Sequence, residues 1–154
     1  MKKTIVGILL IFCTIALSAD AYQSFSKIVN FKVTIKDLLE NPSSIDPAQL
    51  YLLDGTISSI HLIKSDEGNF HAELEFMNSE WVGTDYIKTY RITLIMSKPG
   101  FANLFPEKAG QKPGPGQIGP NMRALVLVQF QNSNPGVAGE IKKSFIVHEF
   151  RILR

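Results

Sequence analysis

Cysteine occurs once in this chain, at position 13. No disulfide can form within one chain, and a thiolate metal cluster is excluded as well. Tryptophan also occurs once, as Trp81, and histidine three times, as His61, His71 and His148. Charge of one sign is not in excess: 16 basic side chains face 14 acidic ones. That balance argues against a strongly basic phosphate-tracking face, although a local basic stripe stays open. No nucleophile elbow, P-loop or dinucleotide fingerprint is present, so the chain reads as a non-enzyme and no cofactor is implied. Asn41 precedes Pro42, and no usable Asn-x-Ser/Thr sequon occurs elsewhere.

What is present begins with a leader. Lys2 and Lys3 form a charged start, Ile5 to Leu17 an apolar run, and Ala19-Asp20-Ala21 a small-x-small processing site. This is the pattern of a secretory signal peptide cleaved after Ala21. A retained transmembrane helix needs about 20 apolar residues, more than this run supplies. A lipoprotein signal is rejected, because Phe12 stands where a lipobox needs a small residue and Cys13 lies inside the apolar run. Removing Lys2, Lys3 and Asp20 leaves the two signs of charge one apart. The expectation is a periplasmic or secreted bacterial protein, without its only cysteine and with no membrane span after cleavage. Residues 1–21 are then the signal, 22–50 an N-terminal arm and helical cap, and 51–154 a β-rich body that forms one domain with the cap.

Along the mature chain, Tyr22 to Val33 reads as an arm or lead-in strand. Thr34 caps a helix through Ile35 to Glu40, stopped by Asn41-Pro42. A second helical turn is expected from Ser44 or Asp46, with Pro47 at its first position, through Leu50. From Tyr51 the apolar period becomes two. Strand one runs to Ile63, with Gly55 marking a bulge or sharp coil. Asp66 to Asn69 is a hairpin turn, and strand two, Phe70 to Phe76, has Phe70, Ala72, Leu74 and Phe76 on one face and His71, Glu73 and Glu75 on the other. A loop is expected over 78–85, then strand three over 86–96 with Tyr90, Ile92, Leu94 and Met96 facing in. Phe101 to Phe105 forms a short helical or 3₁₀ plug, and the Gly/Pro-rich stretch 109–120 a loop with no core of its own. Strand four covers 122–130, a turn-rich loop 131–139, and strand five 140–153.

Three antiparallel strands, a short helix and two more strands give the element order of an OB-fold, a mainly β, five-stranded Greek-key barrel. A five- or six-stranded sandwich is the alternative. The helical plug and Gly55 favour the barrel. The segment Lys36-Asp37-Leu38-Leu39-Glu40-Asn41, then Ala48 and Tyr51, then Gly55-Thr56-Ile57-Ser58-Ser59-Ile60 resembles exported bacterial OB-fold proteins of the tRNA-anticodon-like type. The resemblance implies the fold and leaves the ligand open, since many unrelated ligands use this barrel.

Candidate site residues follow from where such barrels recruit ligands. Trp81 in the loop after strand two, Tyr86, Lys88 and Arg91 on strand three, and Asn132 and Asn134 in the last loop offer stacking and polar contacts for an oligonucleotide or an oligosaccharide. His61 and His71 are weak metal candidates, as cross-strand neighbours with Glu73 on the same face, though none of the histidines has a metal-ligand spacing. Glu73 and Glu75 could act as a carboxylate pair if a partner lay across a cleft. These two patterns leave a small metal-binding or hydrolytic protein as a further class. Contact with a cell-envelope protein is the third class: the Tyr22–Val33 arm, the Gly/Pro loop and Val137-Ala138 are docking candidates. Strand five, apolar on both faces (Phe145 and Val147; Ile146, Phe150 and Ile152), needs cover from the N-terminal helix or a partner.

Overall fold

The computed structural model describes residues 28–64, 70–106, 111–135 and 141–153. The leader, the 66–69 turn and Val137-Ala138 lie outside them. The described chain is mainly β, with six strands in one sheet and a few short helical segments. Strand β1 is Val29–Asn30, helix α1 Ile35–Glu40, β2 Leu50–Lys64, β3 His71–Val82, β4 Tyr86–Met96, β5 Arg123–Pro135 and β6 Ile141–Ile152. Two 3₁₀ segments, Pro42–Ser44 and Pro99–Leu104, complete the set.

Helix α1 starts where the sequence places it because Thr34 and Asp37 satisfy each other's backbone. The Asp37 N–H donates to the Thr34 hydroxyl at 3.2 Å, and the Thr34 N–H donates to the Asp37 carboxylate at 2.9 Å. This reciprocal box satisfies donors that a helix start otherwise leaves orphaned. Ile35 and Leu38, one turn apart, are the buried face. The following helical turn sits earlier than the sequence suggests. Pro42, not Pro47, occupies its first position, and Asp46 instead accepts the Ala48 N–H at 2.9 Å in a side-chain-stabilised turn that feeds β2.

Strand β2 carries the architecture. Its first half, Leu50 to Thr56, pairs antiparallel with Gln129 to Arg123 of β5, and its second half, Thr56 to Lys64, pairs with Met77 to His71 of β3. At the handover, a Cβ on Gly55 would lie 2.7 Å from the Met77 carbonyl oxygen and 2.8 Å from the Phe76 ring. Only glycine lets the strands approach that closely. The register irregularity falls nearby, between Ile57 and Ser59. Strand β3 pairs with β4, β4 with β6 in parallel, and β6 with β5. Because β5 also pairs with β2, the sheet closes on itself, and each of the five long strands is paired with at least two others.

Two strands outrun their expected ends. Strand β3 continues through Asn78 to Val82, expected as loop, because each residue there has a paired partner on β4, from Asn78 opposite Tyr90 to Val82 opposite Tyr86. Cross-strand pairing outweighs the low strand propensity of Asn, Ser and Glu. Strand β5 likewise extends from Phe130 to Pro135 along β6.

The interior holds Tyr51, Leu53, Ile57, Ala72, Leu74, Phe76, Ile92, Leu94, Met96, Val126, Val128, Phe145 and Val147, all buried. One end is closed by Pro99–Leu104 and the residues after it. Phe105 packs against Phe70 with ring centroids 5.3 Å apart and the planes tilted by 42°, and Ile118, fully buried, belongs to the same core cluster. The Gly/Pro loop therefore does contribute to the core. Gln117 holds it, its side-chain amide donating to the Phe105 carbonyl at 3.0 Å and accepting from the Gly114 N–H at 2.8 Å. The other end is closed by α1, which packs on β3 and β4. It does not blanket the outer face of β6 as strand five's pattern suggested. Instead Lys143 of β6, itself buried, reaches across and donates to the Leu38 carbonyl. That carbonyl belongs to the last turn of α1, where intrahelical partners run out. Burial lowers the Lys143 pKa from its ordinary value.

Candidate functional site

Strand parity sorts the candidate residues before any distance is measured. On β3 and β4 the buried residues are even-numbered, from Ala72 to Phe76 and from Tyr90 to Met96. The outward ladder therefore pairs Glu73 with Ile95, Glu75 with Thr93, Met77 with Arg91, Ser79 with Thr89 and Trp81 with Ile87. Trp81 and Arg91 share this outer face, with Trp81 about 13 Å further along the strand than Met77, the partner of Arg91. Trp81 is a strand residue, not a loop residue, and its side chain is 69% exposed.

Tyr86 and Lys88 take the opposite parity on the same hairpin; Tyr86 is exposed, and Lys88 reaches α1. Lys88 is engaged there: its Nζ donates to Glu40 at 2.7 Å and sits 4.9 Å from the centroid of the Tyr90 ring. Lys36 donates to Glu80 at 2.7 Å, and the Tyr90 hydroxyl lies 3.0 Å from Glu40 and 2.8 Å from Glu80. The hydrogen bond from Lys88 holds the Glu40 pKa down and that from Lys36 does the same for Glu80, while the carboxylates raise both lysines. Tyr90 is raised, chiefly by desolvation and then by Glu80. This knot fastens α1 to the sheet. Its charged members are partly exposed, although Tyr90 is buried, so the net contribution of the ion pairs is modest.

Asn132 and Asn134 lie on β5, not in a loop. The register of β5 against β6 slips between Phe130 and Asn132, so that Asn132 stands opposite Ser144 and Asn134 opposite Lys142. Ser144 in turn pairs with Thr93 of β4. The slip turns both asparagines to the face that carries Thr93 and Arg91, as a bulge re-aims the side chains beyond it. The signal was absent from the sequence, because alternation counted through Gln131 carries both asparagines on to the inward face of Val126, Val128 and Phe130.

Between β4 and β6 the strands are paired only over Thr93–Ile95 and Ser144–Ile146. Beside that pairing lies a cleft of about 410 Å³ whose lining draws on β2, β3, β4 and the start of β6 and includes Ser59, His61, Glu73, Glu75, Arg91, Thr93, Ile141 and Lys142. Ser59, Thr93 and Lys142 were not singled out from the sequence. Glu75 accepts from the Ser58 hydroxyl and has the Arg91 Nε at 3.9 Å. Glu73 has the His71 Nε2 at 3.6 Å. The two carboxylates thus have a hydroxyl, a guanidinium and an imidazole beside them rather than a third carboxylate across the cleft.

His61 and His71 are not directly opposed. His61 pairs with Glu73 and His71 with Lys64. Among the described residues no group of three or more His, Cys, Asp or Glu side chains is gathered to hold a metal ion. His148 belongs elsewhere, half-buried with its Nε2 3.1 Å from the Gln129 side-chain oxygen, and burial followed by Lys98 lowers its pKa.

No protein-family model and no curated protein matches the chain. Among solved structures it is similar to the N-terminal domain of PriB from Thermoanaerobacter tencongensis, at 10% identity and a TM-score of 0.41 over 68% of this chain and 96% of that one. It is similar also to the Plasmodium falciparum SSB in complex with ssDNA, at 11% identity and 0.45 over 68% and 94%. The small single-stranded DNA-binding protein of Streptomyces coelicolor gives 11% and 0.42 over 67% and 92%.

Proposed function

We propose that this is an exported, non-enzymatic binding module of the five-stranded Greek-key OB type, which takes a short single-stranded oligonucleotide across the outer face of β3, β4 and β6. The ring of pairings, β2-β3-β4-β6-β5 and back to β2, supports the barrel reading over a sandwich, whose two sheets would each keep free edges. The leader over residues 1–21 supports export.

The observation that carries the ligand class is the convergence at the β4–β6 cleft. Arg91 and Lys142 bring two cations, Thr93 a hydroxyl, and the slipped register of β5 adds the amides of Asn132 and Asn134 to the same face. Cations bind phosphates, and amides and hydroxyls bind base or sugar edges. Two cations make electrostatics a small share of the affinity. For single strands the logarithm of the binding constant falls by about 0.7 per phosphate neutralised for each unit of log salt, giving a slope of about −1.4.

A second reading is favoured by Glu73 and Glu75, which line the same cleft. Carboxylates repel phosphates but accept hydrogen bonds from sugar hydroxyls, so a neutral oligosaccharide suits the floor of the cleft.

Anisotropy of a labelled, short, mixed-sequence single-stranded oligonucleotide, measured over a salt series without lipid, tests the assignment. Saturable binding with the slope above, reduced by about 0.7 in Arg91→Ala, is the expected result. No saturable binding rejects the oligonucleotide. Salt-independent binding of an oligosaccharide by the same protein shifts the assignment to the second reading.

A further inference from the structure

Large apolar side chains are exposed unevenly. The pairing directions put the start of β2, the end of β3, the start of β4, the end of β5 and the start of β6 at one end of the closed sheet. Trp81 and Val82 close β3 there, Tyr86 and Ile87 open β4, Ile141 opens β6, and Ile28 and Phe31 flank β1 beside the start of β2. All seven are about half exposed or more. Of the exposed large hydrophobics among the described residues, only Ile63 and Leu153 lie at the other end.

The β3–β4 tip is apolar on both of its sides. Trp81 pairs with Ile87 on one, and Val82 pairs with Tyr86 on the other. A flat partner covers one side of such a finger, whereas a fluid apolar medium surrounds both. Trp and Tyr are also the residues that favour the boundary between acyl chains and headgroups. The first described residue, Ile28, stands at this end, eleven positions after Leu17, the last residue of the apolar run. Eleven residue steps span at most about 40 Å, so before the expected cleavage after Ala21 this is the end within reach of the membrane that the leader meets.

We propose that the α1 end of the closed sheet contacts a lipid bilayer, with the β3–β4 tip dipping into the interface. The contact goes beyond the oligonucleotide reading: Arg91 lies about 13 Å down the outer face from the Trp81–Ile87 pair, with Lys142 and Asn134 level with it, so these groups remain open to water when the β3–β4 tip is immersed, and Ile141 borders the cleft rather than the tip.

Trp81 is the only tryptophan, so its emission reports the tip alone. The full chain is mixed with phosphatidylcholine vesicles whose acyl chains carry bromine, with no oligonucleotide present. The expected result is a blue shift and strong quenching of Trp81, both lost in the double variant Val82→Asp, Ile87→Asp while circular dichroism shows the fold intact. Anchoring through residues 1–21 alone would leave Trp81 of the vesicle-bound protein unquenched, and that outcome overturns the proposal. Quenching that persists in the double variant overturns it too. A blue shift that depends on protein concentration in the absence of lipid assigns the tip to a second copy of the chain instead. The oligonucleotide titration contains no lipid, so the two assignments fail separately.

Discussion

One end of the closed sheet is finished with buried side chains and the other with a helix that leaves apolar residues in water. At the 3₁₀ end, Phe70, Phe105 and Ile118 fill the opening, and the Gln117 side chain fixes the loop that delivers them. At the α1 end, Ile35 and Leu38 fill the opening, but the hairpins run past the helix and carry Trp81, Val82, Tyr86 and Ile87 into solvent. The helix is held from outside by half-exposed ion pairs and from inside by the Lys143 hydrogen bond to Leu38. The contrast teaches that the two ends solve closure differently: one buries its rings, and the other leaves large apolar side chains available to whatever covers them.

The comparison is broken most directly by Phe105→Ala. It removes a buried ring from the sealed end and should lower unfolding stability by about 3–5 kcal/mol in denaturant titration. A loss under about 1 kcal/mol would mean that this end is not the sealed one. Next in size, Thr34→Ala removes the cap of α1 and should cost about 1 kcal/mol, with amide exchange accelerated in residues 35–40 and unchanged around Phe105.

Below the ordinary carboxylate pKa, acid should act first on the α1 end, where the carboxylates held low among the described residues, Asp37, Glu40 and Glu80, all lie. Glu40 and Glu80 have folded pKa values below the ordinary 4.5, so the stability they lend is complete above 4.5 and is lost as pH falls through the lower folded values. Exchange in α1 should therefore rise in that window before the 3₁₀ end responds. Simultaneous loosening of both ends would dissolve the distinction. The smallest effect on stability is expected from Tyr86→Ser, within about 0.5 kcal/mol of the parent, because its ring is 60% exposed.

Much of the fold was legible. Alternation placed Phe70 to Phe76 and Tyr90 to Met96 with the correct face inward, Thr34 and Asn41-Pro42 bracketed α1, and Gly55 marked the strand's corner. The candidate site was legible only in pieces. Parity alone separates Tyr86 and Lys88 from Arg91 on one strand, yet the three were grouped by proximity in sequence. Lys88 also has Glu40 as partner, a residue 48 positions away that periodicity does not reveal. Ile118 was hidden because Gly and Pro around it describe a loop, and loops signal nothing of what they bury.

The sequence by itself determined the leader pattern, the mainly β character, the order of elements and the inward face of the central strands, since these rest on local periodicity and local backbone chemistry. Only the tertiary structure decided where β3 and β5 end, which face Asn132 and Asn134 join, and which end of the sheet stays apolar in water. Those depend on register and on the handover of β2 from β5 to β3, and a one-residue slip reverses the faces without changing a single residue.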